Sequence, residues 1–570
     1  MTENMSQDPK SPTPGTQTDG GTDECDSLVQ QAREHHMAGR LGEAERLYRQ
    51  ALEIRPEAAE IMSKLGAALA VQGKFTEAVS VLRRAIGNAP DLAEAHNNLG
   101  SIFQMQGRLD DAVEPLRRAL DIDPNQAAAH ANLGNILLQQ GRPEDAAQSF
   151  QKALEIEPDT AQALNGLGSA LLQQNKGEEA GDAFHRALAI TPDQPEILSN
   201  LGNLLRNQGK YDEAVETLQK AVALQPKLTE AHINLGNALK SRGDWDGAMD
   251  AYKSALSLEP DNAETHWNNA QVLLMTGQFP EGWAEYEWRM KCEGFQSLIW
   301  SASGPPWDGS SLEGKTILVF CEQGFGDSIQ FVRYAETLSA MGGKVIVKCP
   351  PQLQALFETT PGVSRAVSRL DRTVEYNVQA SLLSLPRLLG TNLDTIPATV
   401  PYLTPPEKQA AKLPENGSLK AGIVWAGNPA HKNDQNRSID LNLLKPLLAV
   451  DGFDFYSLQF GERSQDITRL ELENDIVDLS GNLEDFSATA AVMRNLDLIL
   501  SVDTSVVHLA GALGKPVWTL LPFVPDWRWL LGRDDSPWYP SMRLFRQQAP
   551  GDWQGVIENV ESALRQRLLN

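Results

Sequence analysis

Cysteine is scarce in this chain: four in 570 residues, Cys25, Cys292, Cys321 and Cys349, none at metal-ligand spacing from another. That excludes a disulfide framework and a cysteine-based zinc module. No run of 18 apolar residues occurs, so no membrane-spanning helix is expected. Positive charge is also short, with 50 Lys+Arg against 75 Asp+Glu and a net charge of −25. That sign repels a phosphate backbone, and no nucleic-acid partner is expected. The opening MTENMSQDPKSPTPGTQTDGGTDE has neither a basic n-region nor an apolar h-region. Residues 1–25 therefore read as a disordered tail, and the protein as cytoplasmic. No D-x-D occurs within 294–570, which argues against a metal–diphosphate site, so no metal is expected. What remains is globular in composition, 41% hydrophobic and 22% charged, and too long for a single core.

The chain does have internal repetition. Proline recurs at Pro56, Pro90, Pro124, Pro158, Pro192, Pro226 and Pro260, a period of 34 residues. On the same period Gly66, Gly100, Gly134, Gly168, Gly202 and Gly236 follow a leucine, and Ala44, Ala78, Ala112 and their successors sit in a second helix. Gly73, Gly107, Gly141, Gly209, Gly243 and Gly277 close the first helix, with Asn175 in the one missing place. Each unit reads helix, glycine turn, helix, proline. The pattern resembles the tetratricopeptide repeat: seven units and a divergent eighth over 26–293, an α-solenoid whose groove implies a protein or peptide partner. Asn98, Asn132, Asn200, Asn234 and Asn268 share one repeat position, interrupted by Lys64 and Gly166. Asparagine is a poor helix-interior residue, so the row is expected to line an acceptor groove and grip both N–H and C=O of an extended peptide. Passive duplication of the repeat explains the row equally simply.

The period vanishes after residue 293. Residues 1–293 carry a net charge of −18, and 294–570 only −7. Trp288, Trp300, Trp307, Pro305 and Pro306 suggest a packed, stiff junction, with the linker at 294–314. Beyond it, apolar β-branched runs begin at Ile317, Lys344, Ala421, Phe453, Leu496 and Lys515 and alternate with helix-period segments. That order predicts an α/β region of two doubly wound lobes, 315–412 and 413–570, with ligands at the carboxyl ends of the strands. A C-terminal helix from Trp553 to Leu569 is expected to pack back across both lobes.

The motifs differ in weight. GSSLEGKT at 309–316 matches the P-loop expression, but a strand follows it where a helix is needed, so it is a false match. In CEQGFGDSIQF, Gly324 and Gly326 offer a backbone-amide turn after a strand, and Asp327 stands at a helix start as either a general base or a helix cap. WAGNPAHKNDQNRSI gathers His431, Lys432 and Arg437 above the cleft, as an anion site would. In VDTSVVHLAGALGKP, Thr504 and Ser505 open a helix whose amides can take a phosphate, with His508 one turn on.

On these residues the second half resembles the heptosyltransferase-like branch of the GT-B glycosyltransferases, and more distantly the tetratricopeptide-linked protein O-GlcNAc transferases. The anchors are Gly326-Asp327, Arg437 in N-R-S-I, Gln459 in S-L-Q, and Asp503-Thr504 with His508. The resemblance implies a metal-independent, inverting transferase that uses a nucleotide sugar and no other cofactor. It implies Asp327 as base, Arg437 as the charge that steadies the diphosphate, and the D-T-x-x-x-H helix at the nucleotide sugar. The expected function is sugar transfer to an acceptor, a protein, selected by the repeats. The alternative is a protein-binding scaffold with an inactive transferase-like domain.

Overall fold

In this computed structural model the described residues are 20–292, 304–370, 374–406, 413–414, 417–431 and 433–569. The chain divides into two units, Met1–Pro226 and Lys227–Asn570.

In the first unit the described residues form paired helices, from Gly20–Met37 with Leu41–Ile54 to Pro195–Asn207 with Tyr211–Leu224. This is the expected tetratricopeptide solenoid, although its first helix begins at Gly20, inside the stretch expected to be tail. The pairing has a simple steric origin. A Cβ at Gly100 would lie 2.6 Å from Leu116 Cγ, and one at Gly168 would lie 2.6 Å from the Phe184 ring. Only glycine lets the first helix of a pair press its backbone onto the large side chain of the second. The turns need the left-handed region. Gly73 has φ 75° and Gly107 71°, and where glycine is missing Asn175 takes φ 61°, which asparagine tolerates better than most residues.

The second unit opens with two further pairs, Thr229–Arg242 with Trp245–Leu258 and Ala263–Met275 with Phe279–Tyr286, then a tight turn Glu287–Lys291. Two wholly parallel sheets follow. The first holds β1 (Thr316–Phe320), β2 (Lys344–Lys348), β3 (Val363–Val367) and β4 (Val378–Ser381), in the order β3-β2-β1-β4. The second holds β5 (Leu419–Val424), β6 (Phe453–Ser457), β7 (Ile476–Asp478), β8 (Leu498–Val502), β9 (Val517–Leu521) and β10 (Met542–Arg546), in the order β10-β9-β8-β5-β6-β7. The six strands legible as apolar runs are the six interior ones.

One core runs from Phe279 and Trp283 of the last helix pair through Val319 and Phe331 to Val507, Trp527 and Trp538. The junction is therefore packed, as expected, with Trp307 in the core and Phe279 and Trp283 added to it. Trp283 donates from Nε1 to Thr391 O at 3.0 Å and meets the Trp527 ring edge-on at 5.2 Å. Trp288, in the turn Glu287–Lys291, stacks on His266 of the last helix pair, Trp307 is buried in the same core, and Trp300 lies outside the described residues. The C-terminal helix Trp553–Arg567 corrects a second expectation. Its Val556, Ile557, Val560 and Leu564 join a cluster made of second-sheet residues, so it covers that sheet alone. No helix among the described residues is long and apolar enough to cross a membrane.

Candidate functional site

In the second sheet, strand order reverses direction between β5 and β8, and in a doubly wound sheet the ligand crevice lies outside the carboxyl ends at such a point. Two segments leave those ends: residues 425–439 after β5 and residues 503–505 after β8. Arg437, at the end of the short helix Asp434–Arg437, joins them. Its Nη1 donates to Asp503 O at 3.0 Å and its Nε to Asp434 Oδ1 at 3.3 Å. A Cβ at Gly427 would lie 2.6 Å from Arg437 Nη2, so that glycine makes room for the guanidinium. His431, in the same segment, lines an open pocket of about 580 Å³ with Asp434, Ser438, Asp440 and Arg463. Burial, and next the Arg437 charge, hold the His431 imidazole below its ordinary range, which favours the neutral ring. Lys432 lies outside the described residues.

The helix Ser505–Ala512 starts on Thr504, whose Oγ1 accepts from Val506 N at 3.3 Å. Asp503 just before it is pushed up to about 6, first by burial and then by the Asp526 carboxylate. The helix Phe325–Phe331 packs against Ser505–Ala512, and Gly326 is the reason it can. A Cβ there would lie 2.8 Å from His508 Cδ2 and 3.5 Å from Ser505 Cα.

Asp327 proves to be both a cap and a pairing group. Its Oδ2 accepts from Gly324 N at 2.9 Å and its Oδ1 from Arg528. Arg528 also donates from Nε to Gln330 Oε1 at 2.7 Å and from Nη1 to Asp526 Oδ1 at 2.8 Å. The first lobe and the segment after β9 are thus tied at the carboxylate itself.

Two residues expected at the nucleotide sugar have their side chains engaged by the protein. Gln459 spends its amide on backbone: Oε1 accepts from Trp425 N at 3.2 Å and Ala426 N at 3.0 Å, and Nε2 donates to Ala426 O at 3.0 Å. It shapes the start of the 425–439 segment. His508 is 5% exposed, stacks on Trp529 at 5.3 Å and bonds the Tyr539 hydroxyl through Nδ1 at 3.0 Å. Burial, then Arg528 and Arg333, keep it well below its ordinary range. It is a neutral wall residue.

Three residues of the asparagine row are engaged in the same way. Asn98 donates from Nδ2 to Ser63 Oγ at 3.0 Å and Ser63 O at 3.4 Å. Asn132 donates to Asn97 Oδ1 at 2.8 Å and Ser101 Oγ at 2.9 Å. Asn200 donates to Asn165 Oδ1 at 2.9 Å and Ser169 Oγ at 3.3 Å. Both amide N–H donors of all three tie one repeat to the next, so a two-sided grip on a peptide is not on offer there. The interruptions follow too. Lys64 pairs with Glu94 at 3.3 Å, and a Cβ at Gly166 would strike the Phe150 ring at 2.3 Å. Asn234 and Asn268 hold the same register in the helices Thr229–Arg242 and Ala263–Met275 of the second unit.

Arg528 and Asp526 had no signal of their own in the sequence, because they sit in Asp-Trp-Arg-Trp, an aromatic run that reads as core. Arg289 and Glu322 form a buried pair beside the glycine turn; Arg289 lies in no motif, and Glu322, although inside CEQGFGDSIQF, has its partner 33 residues away.

Comparison with known proteins follows this division. Residues 2–205 match the model for the C-terminal domain of cilia and flagella-associated protein 70, and residues 202–241 and 236–277 match the TPR repeat. Residues 461–524 match glycosyltransferase family 9 (heptosyltransferase), a stretch that holds Asp503, Thr504, Ser505 and His508 but neither Asp327 nor Arg437. The chain is thus a tetratricopeptide-repeat protein whose C-terminal α/β region carries part of the family 9 pattern. Protein FlbA of Caulobacter vibrioides is 28% identical over 323 residues, covering 51% of this chain and 53% of that one. The chain spans about half the length of this curated relative. Among solved structures, the APC/C hetero-tetramer Cut9–Hcn1 matches at 19% identity and TM-score 0.41, over 49% of this chain and 54% of that chain. PilF of Pseudomonas aeruginosa matches at 26% and 0.33, over 37% of this chain and 96% of that chain.

Proposed function

We propose that the α/β region is a GT-B-type, metal-independent, inverting glycosyltransferase that moves a sugar from a nucleotide sugar to a hydroxyl of a protein acceptor chosen by the repeats. The observation that carries this reading is Arg437, held between the two segments that leave the switch-point strands β5 and β8. A diphosphate there would meet that guanidinium and the positive end of the helix Ser505–Ala512.

The chemistry asks for two things. The acceptor oxygen attacks the anomeric carbon as the bond from that carbon to the diphosphate breaks. The electron pair leaves with the nucleoside diphosphate, and the configuration inverts. The hydroxyl proton passes to Asp327, whose carboxylate has about four acceptor positions, of which Gly324 and Arg528 use two. Fixed positive charge meets the leaving group.

A second reading, a protein-binding scaffold with no transfer, has one observation in its favour: Arg437 and Arg528 are already paired with carboxylates. Thermal shift across UDP-, GDP-, ADP- and CMP-sugars separates the two. The transferase reading predicts stabilisation by one nucleotide class, unchanged in EDTA. A flat panel favours the scaffold, and a need for added Mg²⁺ or Mn²⁺ removes the metal-free site.

A further inference from the structure

We propose that Arg289, in the turn that ends the repeat helices, is a positioning residue: it fills the carboxyl-end crevice of the first sheet and holds the glycine turn that carries Asp327. The first sheet reverses direction between β1 and β4, and that is where a doubly wound sheet receives a ligand. Here the place is taken by the protein's own side chains. Glu322, two residues past β1, accepts from Ser381, the last residue of β4. Arg289 donates to Glu322 Oε1 from Nη2 at 2.6 Å and from Nε at 3.2 Å, and from Nη2 to Ser384 Oγ at 3.0 Å. The remaining nitrogen, Nη1, is held by Tyr286 O at 3.0 Å and Glu287 Oε1 at 2.9 Å.

The next residues continue the tie. Gln323 reaches the Tyr286 hydroxyl at 3.4 Å, and Gly324 N donates to Asp327 at 2.9 Å. Residues 322 and 323 are therefore fixed to the end of the repeat helices, and residue 324 is fixed to the carboxylate.

Stability alone does not explain such a pair. The Arg289 side chain is 0% exposed and that of Glu322 2%. Removing two charges from water is expensive, and an apolar pair of similar volume commonly holds a fold as well or better. What an apolar pair cannot do is set the direction of a turn through a planar fork of donors.

The test uses the full chain with Arg289→Met and Glu322→Leu together, compared with the wild type and with Arg289→Lys. Hydrogen exchange is read on a peptide covering 322–331, with a peptide from β5 to β6 as control. In the double variant we expect a melting temperature near the wild type and at least tenfold faster exchange over 322–331, with the control unchanged. Arg289→Lys, which keeps the charge but loses the fork, should give intermediate exchange. Wild-type exchange over 322–331 in a folded double variant overturns the proposal. If the double variant does not fold, wild-type exchange in Arg289→Lys overturns it instead. A kinetic arm, which rests on the transferase reading, adds that kcat falls at least tenfold while the KM for the nucleotide sugar stays constant. A wild type without transfer would sink that reading and leave the exchange result to decide this one.

Discussion

Single residues carry the electrostatics of the site, and two of them make sharp forecasts. Asp503 has a folded value of about 6 against an ordinary 3.8. The folded state therefore holds its proton more tightly, and the sign follows from linkage. Below about pH 4 both states are protonated and the group is neutral to stability. Between about 4 and 6 stability falls as pH rises, and above about 6 the full cost, on the order of 2–3 kcal/mol, remains. Asp503→Asn should therefore melt like the wild type at pH 4.0 and higher than it at pH 7.5; equal midpoints at both pH values would show that burial does not penalise the charged Asp503 carboxylate as argued. Arg437→Ala should weaken nucleotide-sugar binding by about 1.5–3 kcal/mol through loss of a charge-assisted contact, measured by calorimetry. The pair also shows what was legible at this scale. Arg437 and Asp327 stand in glycine- and polar-rich turns after strands, where exposure gives a charged residue away. Arg528 and Arg289 do not, because their pairing depends on partners 201 and 33 residues distant in sequence.

At the scale of elements, the four strands that were not legible, β3, β4, β7 and β10, are the four edges of the two sheets. Interior strands of a parallel sheet are buried on both faces and read as apolar runs. Edge strands are half solvated: VSRAV and MRLFR carry arginines, and IVD is only three residues long. The repeat period, by contrast, exposed the solenoid almost residue by residue, because every turn needs the same left-handed position and every pair the same close approach. The close approach of two helices in the site is at Gly326. Intrinsic propensity alone would make Gly326→Ala stabilising by about 1 kcal/mol. The new methyl would instead meet His508 Cδ2 at 2.8 Å, on a ring locked by Trp529 and Tyr539. The clash should win, at about 1–3 kcal/mol of destabilisation. A variant as stable as the wild type in thermal melting would mean that the two helices are not in contact at this point.

For the whole molecule, the proposed division of labour follows the division of charge and form. The repeats carry most of the negative charge and present the kind of surface that holds a partner chain; the α/β region carries the switch-point crevice. The second unit keeps the last two helix pairs, the glycine turn and both sheets in one body. Acceptor selection and chemistry are proposed to meet there. The measurement that bears most directly on that account is acceptor-dependent release of nucleoside diphosphate by the full chain in EDTA, wild type beside Asp327→Asn. The account predicts release by the wild type and a rate lower by about 10²–10⁴-fold in the Asn variant, with nucleotide-sugar binding retained as evidence that the site is still folded. Wild-type release by the Asn variant would contradict the assignment of the base, and a wild type that binds and cleaves no nucleotide sugar would contradict the account itself.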